Sequence, residues 1–187
     1  KKSLKRIKAK IANEELTYDV EKSNFEEKLF YPNTSKKNTI KESRKRGDLI
    51  HKLLSHIYYL EDIQIVLDKY YLRGEIDKIE KEYFIKIFNK IHLHPMIKKY
   101  FSKNYLSMNE KSILLPDKNI LRPDRISYDD KTCAVIDYKT GSKKEKDNLQ
   151  VIEYMKYMRE ILNKETLGFV VYIEGNNLSV KQIDFLN

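Results

Sequence analysis

Hydrophobic positions fall at helical spacing in the first half of this chain and at strand spacing in the second. Leu49, Ile50, Leu53, Leu54, Ile57 and Leu60 recur at steps of three and four, which predicts a helix over 42–60. A second helix is predicted over 61–72, closed by Gly74, and a third over 76–91 with Ile79, Tyr83, Ile87 and Ile91 on one stripe. Pro95 suits the first turn of a short helix reaching Phe101. The period then shortens. Residues 105–115, 120–128 and 132–138 read as three strands, joined by the turn-like runs Pro116-Asp117-Lys118-Asn119 and Asp129-Asp130-Lys131. Such a set makes an antiparallel meander. A helix over 146–162, with Val151, Tyr154, Met155, Met158 and Leu162 facing inward, precedes strands at 168–173 and 178–183. Residues 1–40 are weakly patterned: Leu4, Ile7, Ile11 and Leu16 fit one short amphipathic helix, and Asn33 to Thr39 reads as loop. The order is an N-terminal helical region followed by β-β-β-α-β-β, an α/β domain with a mixed sheet. Residues 1–40 form an arm or a linker from a preceding domain, and 41–187 form the domain proper.

Composition narrows the partners. With 187 residues there is one domain, or one domain with an appendage. The net charge of +9 favours a polyanion, nucleic acid first, although a lysine-rich composition alone would give the same number. A single cysteine, Cys133, rules out a disulfide and a cysteine-built zinc or iron–sulfur site within this sequence. No apolar run approaches the length of a membrane span and no signal peptide is visible, so a soluble, cytoplasmic protein is expected, with no membrane partner. The sequence opens Lys-Lys without an initiator Met, as a piece of something longer would.

The candidate chemistry lies between Leu121 and Tyr154. Asp124 and Asp137 sit on the two arms of a predicted hairpin, and Lys139 shares a strand face with Asp137. Asp137 continues the apolar run Cys133-Ala134-Val135-Ile136, where an uncompensated carboxylate is costly. A hard divalent cation resolves that cost: Mg²⁺ takes one or two carboxylates and leaves room for phosphate oxygens. Such a cation makes water nucleophilic and offsets charge on a scissile phosphate, and a nearby lysine steadies the oxyanion. Gln150 and Tyr154 are four apart and share a helix face, lining the cleft or bracing the lysine. Arg122 and Arg125 flank Asp124, ready for carboxylates or phosphates. Lys143-Lys144-Glu145-Lys146 tracks phosphates or is merely solvated, and Glu110 is a weaker metal candidate. Gly47 costs its helix roughly 1 kcal/mol relative to Ala and permits close approach. His51 lies one turn further along that face, where a packed, structural histidine is the ordinary reading.

Taken in order, Gly47 to His51 with Leu53-Leu54, Arg122-Pro123-Asp124-Arg125, Asp137-Tyr138-Lys139-Thr140-Gly141 and Gln150 to Tyr154 resemble the PD-(D/E)XK nuclease superfamily in its RecB/AddA-like branch. The resemblance covers roughly residues 43–185. It implies a restriction-endonuclease-like core and a Mg²⁺-dependent deoxyribonuclease in which Mn²⁺ substitutes. It also implies metal ligation by His51, Asp124, Asp137 and the carbonyl of Tyr138, with Lys139 catalytic. Gln150 and Tyr154 would be the branch's additional motif, contacting substrate as Arg122 and Arg125 would. Such modules usually end UvrD/Rep-type helicase–nucleases of bacteria, which process double-strand breaks. The implied partners are therefore DNA, a helicase domain in the same full-length chain, and a second helicase–nuclease subunit. The sequence has no ATP-binding G-x-x-x-x-G-K-[ST] motif of its own. Relatives with an iron–sulfur cluster are poor models for a chain with one cysteine. The alternatives are an inactive nuclease-like DNA-binding or docking module, and a free-standing repair or restriction nuclease.

Overall fold

The computed structural model describes residues 5–11, 14–20, 36–115, 118–141 and 143–185, with side chains from Arg44 onward. The chain divides into two compact units, Lys1–Lys45 and Arg46–Asn187, with the boundary inside helix α1 (Lys36–Ser55). The first unit holds β1 (Lys5–Ile11) and β2 (Glu14–Val20), an antiparallel pair in the register Ile7↔Tyr18 and Ala9↔Leu16. The short helix expected there is therefore replaced by strands. Ile7, Ala9 and Ile11, and again Leu16, Tyr18 and Val20, recur every second residue, and that period outweighs the sparse helical one. Helix α1 also starts earlier than expected, taking in part of the polar run read as loop. Residues 33–35 and the turn at 116–117 lie outside the described residues.

The second unit is a mixed α/β fold. Its main sheet has five strands in the order β3-β6-β7-β8-β9: β3 (Leu106–Asn109), β6 (Arg125–Tyr128), β7 (Thr132–Thr140), β8 (Glu165–Glu174) and β9 (Asn177–Ile183). Strands β7 and β8 are parallel, and the other neighbours are antiparallel. The parallel step needs a long crossover, supplied by α4 (Glu145–Leu162). Two expected long strands are broken: 105–115 yields β3 and then β4 (Ile113–Leu114), and 120–128 yields β5 (Ile120–Leu121) and then β6. Pro123 lacks the amide that a continuous ladder requires, so β4 and β5 pair only with each other before the chain rejoins the main sheet.

Strand alternation assigns the two faces. Ala134, Ile136 and Tyr138 of β7 enter a core with α1, α2 (Asp62–Leu72) and α3 (Lys78–His92). Cys133 and Val135 enter the other core with Val151, Tyr154, Met155 and Met158 of α4. Sheet and helices form three layers, with β7 central. The buried stripe of α3 is Phe84, Ile87, Phe88 and Ile91, and the expected Ile79 is 48% exposed. Pro95 is followed by a single 3-10 turn, Lys98–Phe101. At Gly47 a Cβ would lie 2.7 Å from Thr140 Oγ1, so its absence lets α1 close on the end of β7. No helix among the described residues is long and apolar enough to cross a membrane.

Candidate active site

The site is built where three elements end. Helix α1 brings His51, the end of β3 brings Glu110, and the residue before β6 brings Asp124. His51 Nδ1 is 3.0 Å from Asp124 Oδ1 and 3.7 Å from Glu110 Oε1. One ligand atom from each of the three lies within 4.8 Å of the others. Glu110 has φ 51°, a left-handed conformation uncommon for glutamate, and its amide donates to the Asp124 carbonyl at 2.9 Å. That bond turns the chain out of β3 and aims the carboxylate at Asp124. Arg122 Nε pairs with Glu110 Oε2 at 2.8 Å, while most of its side chain stays exposed.

A second cluster starts from β7. Asp137 is 2% exposed, and its Oδ2 lies 2.7 Å from Lys139 Nζ without the alignment of a hydrogen bond. Lys139 Nζ donates to Gln150 Oε1 at 2.9 Å, and Gln150 Nε2 donates to the Tyr154 hydroxyl at 2.8 Å. The clusters meet at Asp124, whose Oδ2 accepts the Tyr138 amide at 2.7 Å. In an extended strand one residue's N–H and C=O point to the same edge. The β6–β7 ladder ends at Arg125↔Ile136, so the Tyr138 carbonyl is on the edge facing Asp124, free of that ladder.

Burial and charge together set the protonation states. Burial first, and then the Asp124 charge, push the Asp137 carboxyl up to about 6. Glu110 is raised in the same way, by burial and then by Asp124. Burial lowers His51, but the Asp124 hydrogen bond and the charges of Asp124, Glu110 and Asp137 outweigh it, for a net rise. Lys139 also rises, because Asp137 overcomes the effect of burial, and so it stays charged. An acid with a raised folded pKa binds extra protons when folded, so stability falls as pH rises between the two values. For Asp137 that window runs from the ordinary 3.8 to about 6, and above it the loss is complete. Asp137→Asn in chelator should therefore be more stable than the parent at neutral pH, by on the order of 2 kcal/mol. The gain should vanish near the lower end of the window. Urea titrations at the two pH values measure it, and equal stability at neutral pH would show that the buried carboxylate carries no penalty.

Several expected site residues stand elsewhere. Asp137, expected to share one cluster with His51 and Asp124, is outside the group within 4.8 Å, where Glu110 takes its place. Beyond burial, the Asp124 charge raises the Asp137 pKa, and the Asp137 charge adds to the rise at His51. Tyr154, expected to contact substrate or to brace the lysine, is buried with its hydroxyl taken by Gln150, an arrangement that suits the bracing role. Arg125, also expected to contact substrate, is 1% exposed. Its guanidinium donates to the carbonyls of Ile57, Tyr58 and Tyr100, to Asn109 Oδ1, and to the Ser107 and Ser127 hydroxyls. Its Cζ lies 4.3 Å from the Phe101 ring centroid. Asn109 Nδ2 donates to Leu54, Ser55 and Ile57 carbonyls at 3.1–3.4 Å. Hence the neighbours of Glu110 and Asp124 in sequence hold the C-terminus of the helix that carries His51. The signal was present: adjacent residues of an extended chain point to opposite faces, so Arg125 turns away from the side that Asp124 serves.

No protein family and no curated protein matches this sequence. Among solved structures, one titled "Crystal structure of SSO0001" is similar over 67% of this chain, with 16% identity and a TM-score of 0.29. The chain spans 65% of that structure's length, and a likeness this distant assigns neither fold nor activity.

Proposed function

We propose that residues 46–187 are a metal-dependent DNA nuclease domain with a restriction-endonuclease-like core, hydrolysing phosphodiester bonds with Mg²⁺ or Mn²⁺. The carrying observation is the join at Asp124 between a His51–Glu110–Asp124 donor group and the pair of buried Asp137 with half-buried Lys139. The donor set fits a hard divalent ion: carboxylate oxygens with one imidazole, beside a buried carboxylate oxygen that has no aligned donor. His51, Glu110 and Asp124 would hold the cation, with Asp137 and the Tyr138 carbonyl at its border. When bound, the cation would supply Lewis acidity, raising the nucleophilicity of water and offsetting charge on the phosphate.

The chain's own residues do the rest. Lys139 is a fixed ammonium gripped by Asp137 and Gln150, and it remains protonated, so its role is to donate to a phosphoryl oxygen. It is not a base. Gln150 sets the direction of that donor, and Tyr154 sets Gln150. The anchoring of α1 by Asn109 and Arg125 fixes His51 against Asp124 before any ligand arrives, so little reorganisation is needed on binding. By the RecB-like resemblance, the domain acts beside a helicase in double-strand break processing.

Calorimetric titration with Mn²⁺ tests the centre. The parent should bind and Asp124→Asn should bind at least about tenfold more weakly, in line with the loss of one ligand or its orienting partner. The parent should also cut linear DNA in Mg²⁺ and not in chelator. Indistinguishable titrations of the two proteins would sink the reading.

A further inference from the structure

The lysine run after β7 belongs to a pocket that adjoins the candidate active site, and Lys144 and Lys146 in it have no part in the catalytic reading. Lys139, Thr140, Lys144, Lys146, Asp147 and Gln150 line an open cavity of about 430 Å³ between the end of β7 and the first turn of α4. Its size falls in the range of small-ligand sites. Every lining residue is polar, so nothing in it stacks a base. Three lysines face one aspartate, and that aspartate is buried, with its Oδ2 accepting the Lys144 amide at 3.0 Å. Asp147 thus caps the helix itself, and any anion must be drawn by the side chains. Lys144 and Lys146 are exposed and have no ion-pair partner among the described residues. Lys143 lies nearby with its Nζ 5.4 Å from the Tyr172 ring centroid, adding to the positive rim.

The pocket shares Lys139 and Gln150 with the candidate active site, so an anion in it sits directly beside the reacting one. We propose that this pocket holds a backbone phosphate of the DNA strand adjacent to the phosphate being cut, bound by Lys144 and Lys146. The position next to a cut phosphate rests on the proposed nuclease function. The polar lining makes the contact independent of sequence, as phosphate contacts are.

The test is DNA binding in chelator, where cleavage plays no part. Fluorescence anisotropy with a labelled single strand of thymidines gives Kd across a salt series from about 50 to 200 mM. For Lys144→Ala/Lys146→Ala the slope of log Kd against log salt should be shallower than the parent's by roughly 0.7 per lysine. Lys156→Ala, an exposed lysine elsewhere on α4, should keep the parent slope. A parent slope in the double variant, with its thermal midpoint unchanged, would overturn the subsite. Displacement of the strand by inorganic phosphate in the parent but not in the double variant is expected, because a free phosphate and a strand phosphate would compete for the same two lysines. Failure of the Mn²⁺ titration would instead strike the nuclease reading and leave this measurement standing.

Discussion

Lys139→Ala is expected to lower the rate of DNA cleavage in Mg²⁺ by about 10²–10³, the usual cost of removing one preorganised donor to a developing oxyanion. The size follows from how the ammonium is held. Asp137 Oδ2 and Gln150 Oε1 grip it at 2.7 and 2.9 Å, so in the parent no free energy goes to orienting it during reaction. Mn²⁺ affinity should stay within a few-fold of the parent, because Lys139 is not among the donors around His51. Gln150→Ala should fall between the two, since Asp137 still holds the lysine without its second restraint. Single-turnover cleavage and calorimetry on the same preparations separate the effects. A Lys139→Ala protein that cuts at the parent rate would remove the lysine from the chemistry. One that loses Mn²⁺ binding as well would make the lysine a structural support of the acids.

Arg125→Ala is expected to destabilise the fold by at least about 4 kcal/mol, an exceptional value for one substitution and a large share of a domain's total. The charge is buried beside Phe101, and its six hydrogen bonds end on three main-chain carbonyls, one amide oxygen and two hydroxyls. Truncation leaves the Tyr58 and Tyr100 carbonyls and Asn109 Oδ1 without that donor, at about 1–3 kcal/mol each where water does not enter, while Ile57 keeps Asn109 Nδ2 and the two serine hydroxyls keep each other. Burial lowers the Arg125 pKa, but a guanidinium keeps its proton in proteins, so the cost is present at every working pH. Arg125→Lys should recover only part of the loss, because a point ammonium cannot reach the Ile57, Tyr58 and Tyr100 carbonyls together as a planar fork does. Urea unfolding followed by circular dichroism measures the change. A variant as stable as the parent but weaker on DNA would return Arg125 to the substrate. The same clamp holds the end of α1, so surviving folded Arg125→Lys should also show looser metal binding through His51.

Local pattern was enough for much of this molecule. The helices over 61–72 and 146–162, the strand run Cys133 to Tyr138 and the two closing strands follow from hydrophobic period, and the structure keeps them within a few residues. The common direction of Asp137 and Lys139 follows from strand alternation alone, and the Gln150–Tyr154 contact follows from a spacing of one helical turn. Each of these is a relation between residues close in sequence, where backbone geometry leaves one answer.

The remainder depended on distant parts meeting. His51 and Asp124 are 73 residues apart, and only the docking of α1 puts 3.0 Å between them. Glu110 gains its place from a left-handed residue and a main-chain bond to Asp124, neither of which composition reveals. Arg122 and Arg125 look alike in the sequence, yet one lies largely in solvent on Glu110 and the other is enclosed under the end of α1. Solvation makes that difference: a guanidinium can be buried only where enough carbonyls converge on it, and convergence is a property of the assembled layers. The run from Cys133 to Lys139 shows both levels. Its periodicity fixes which way each side chain points, and the helices packed on either face decide what each one meets.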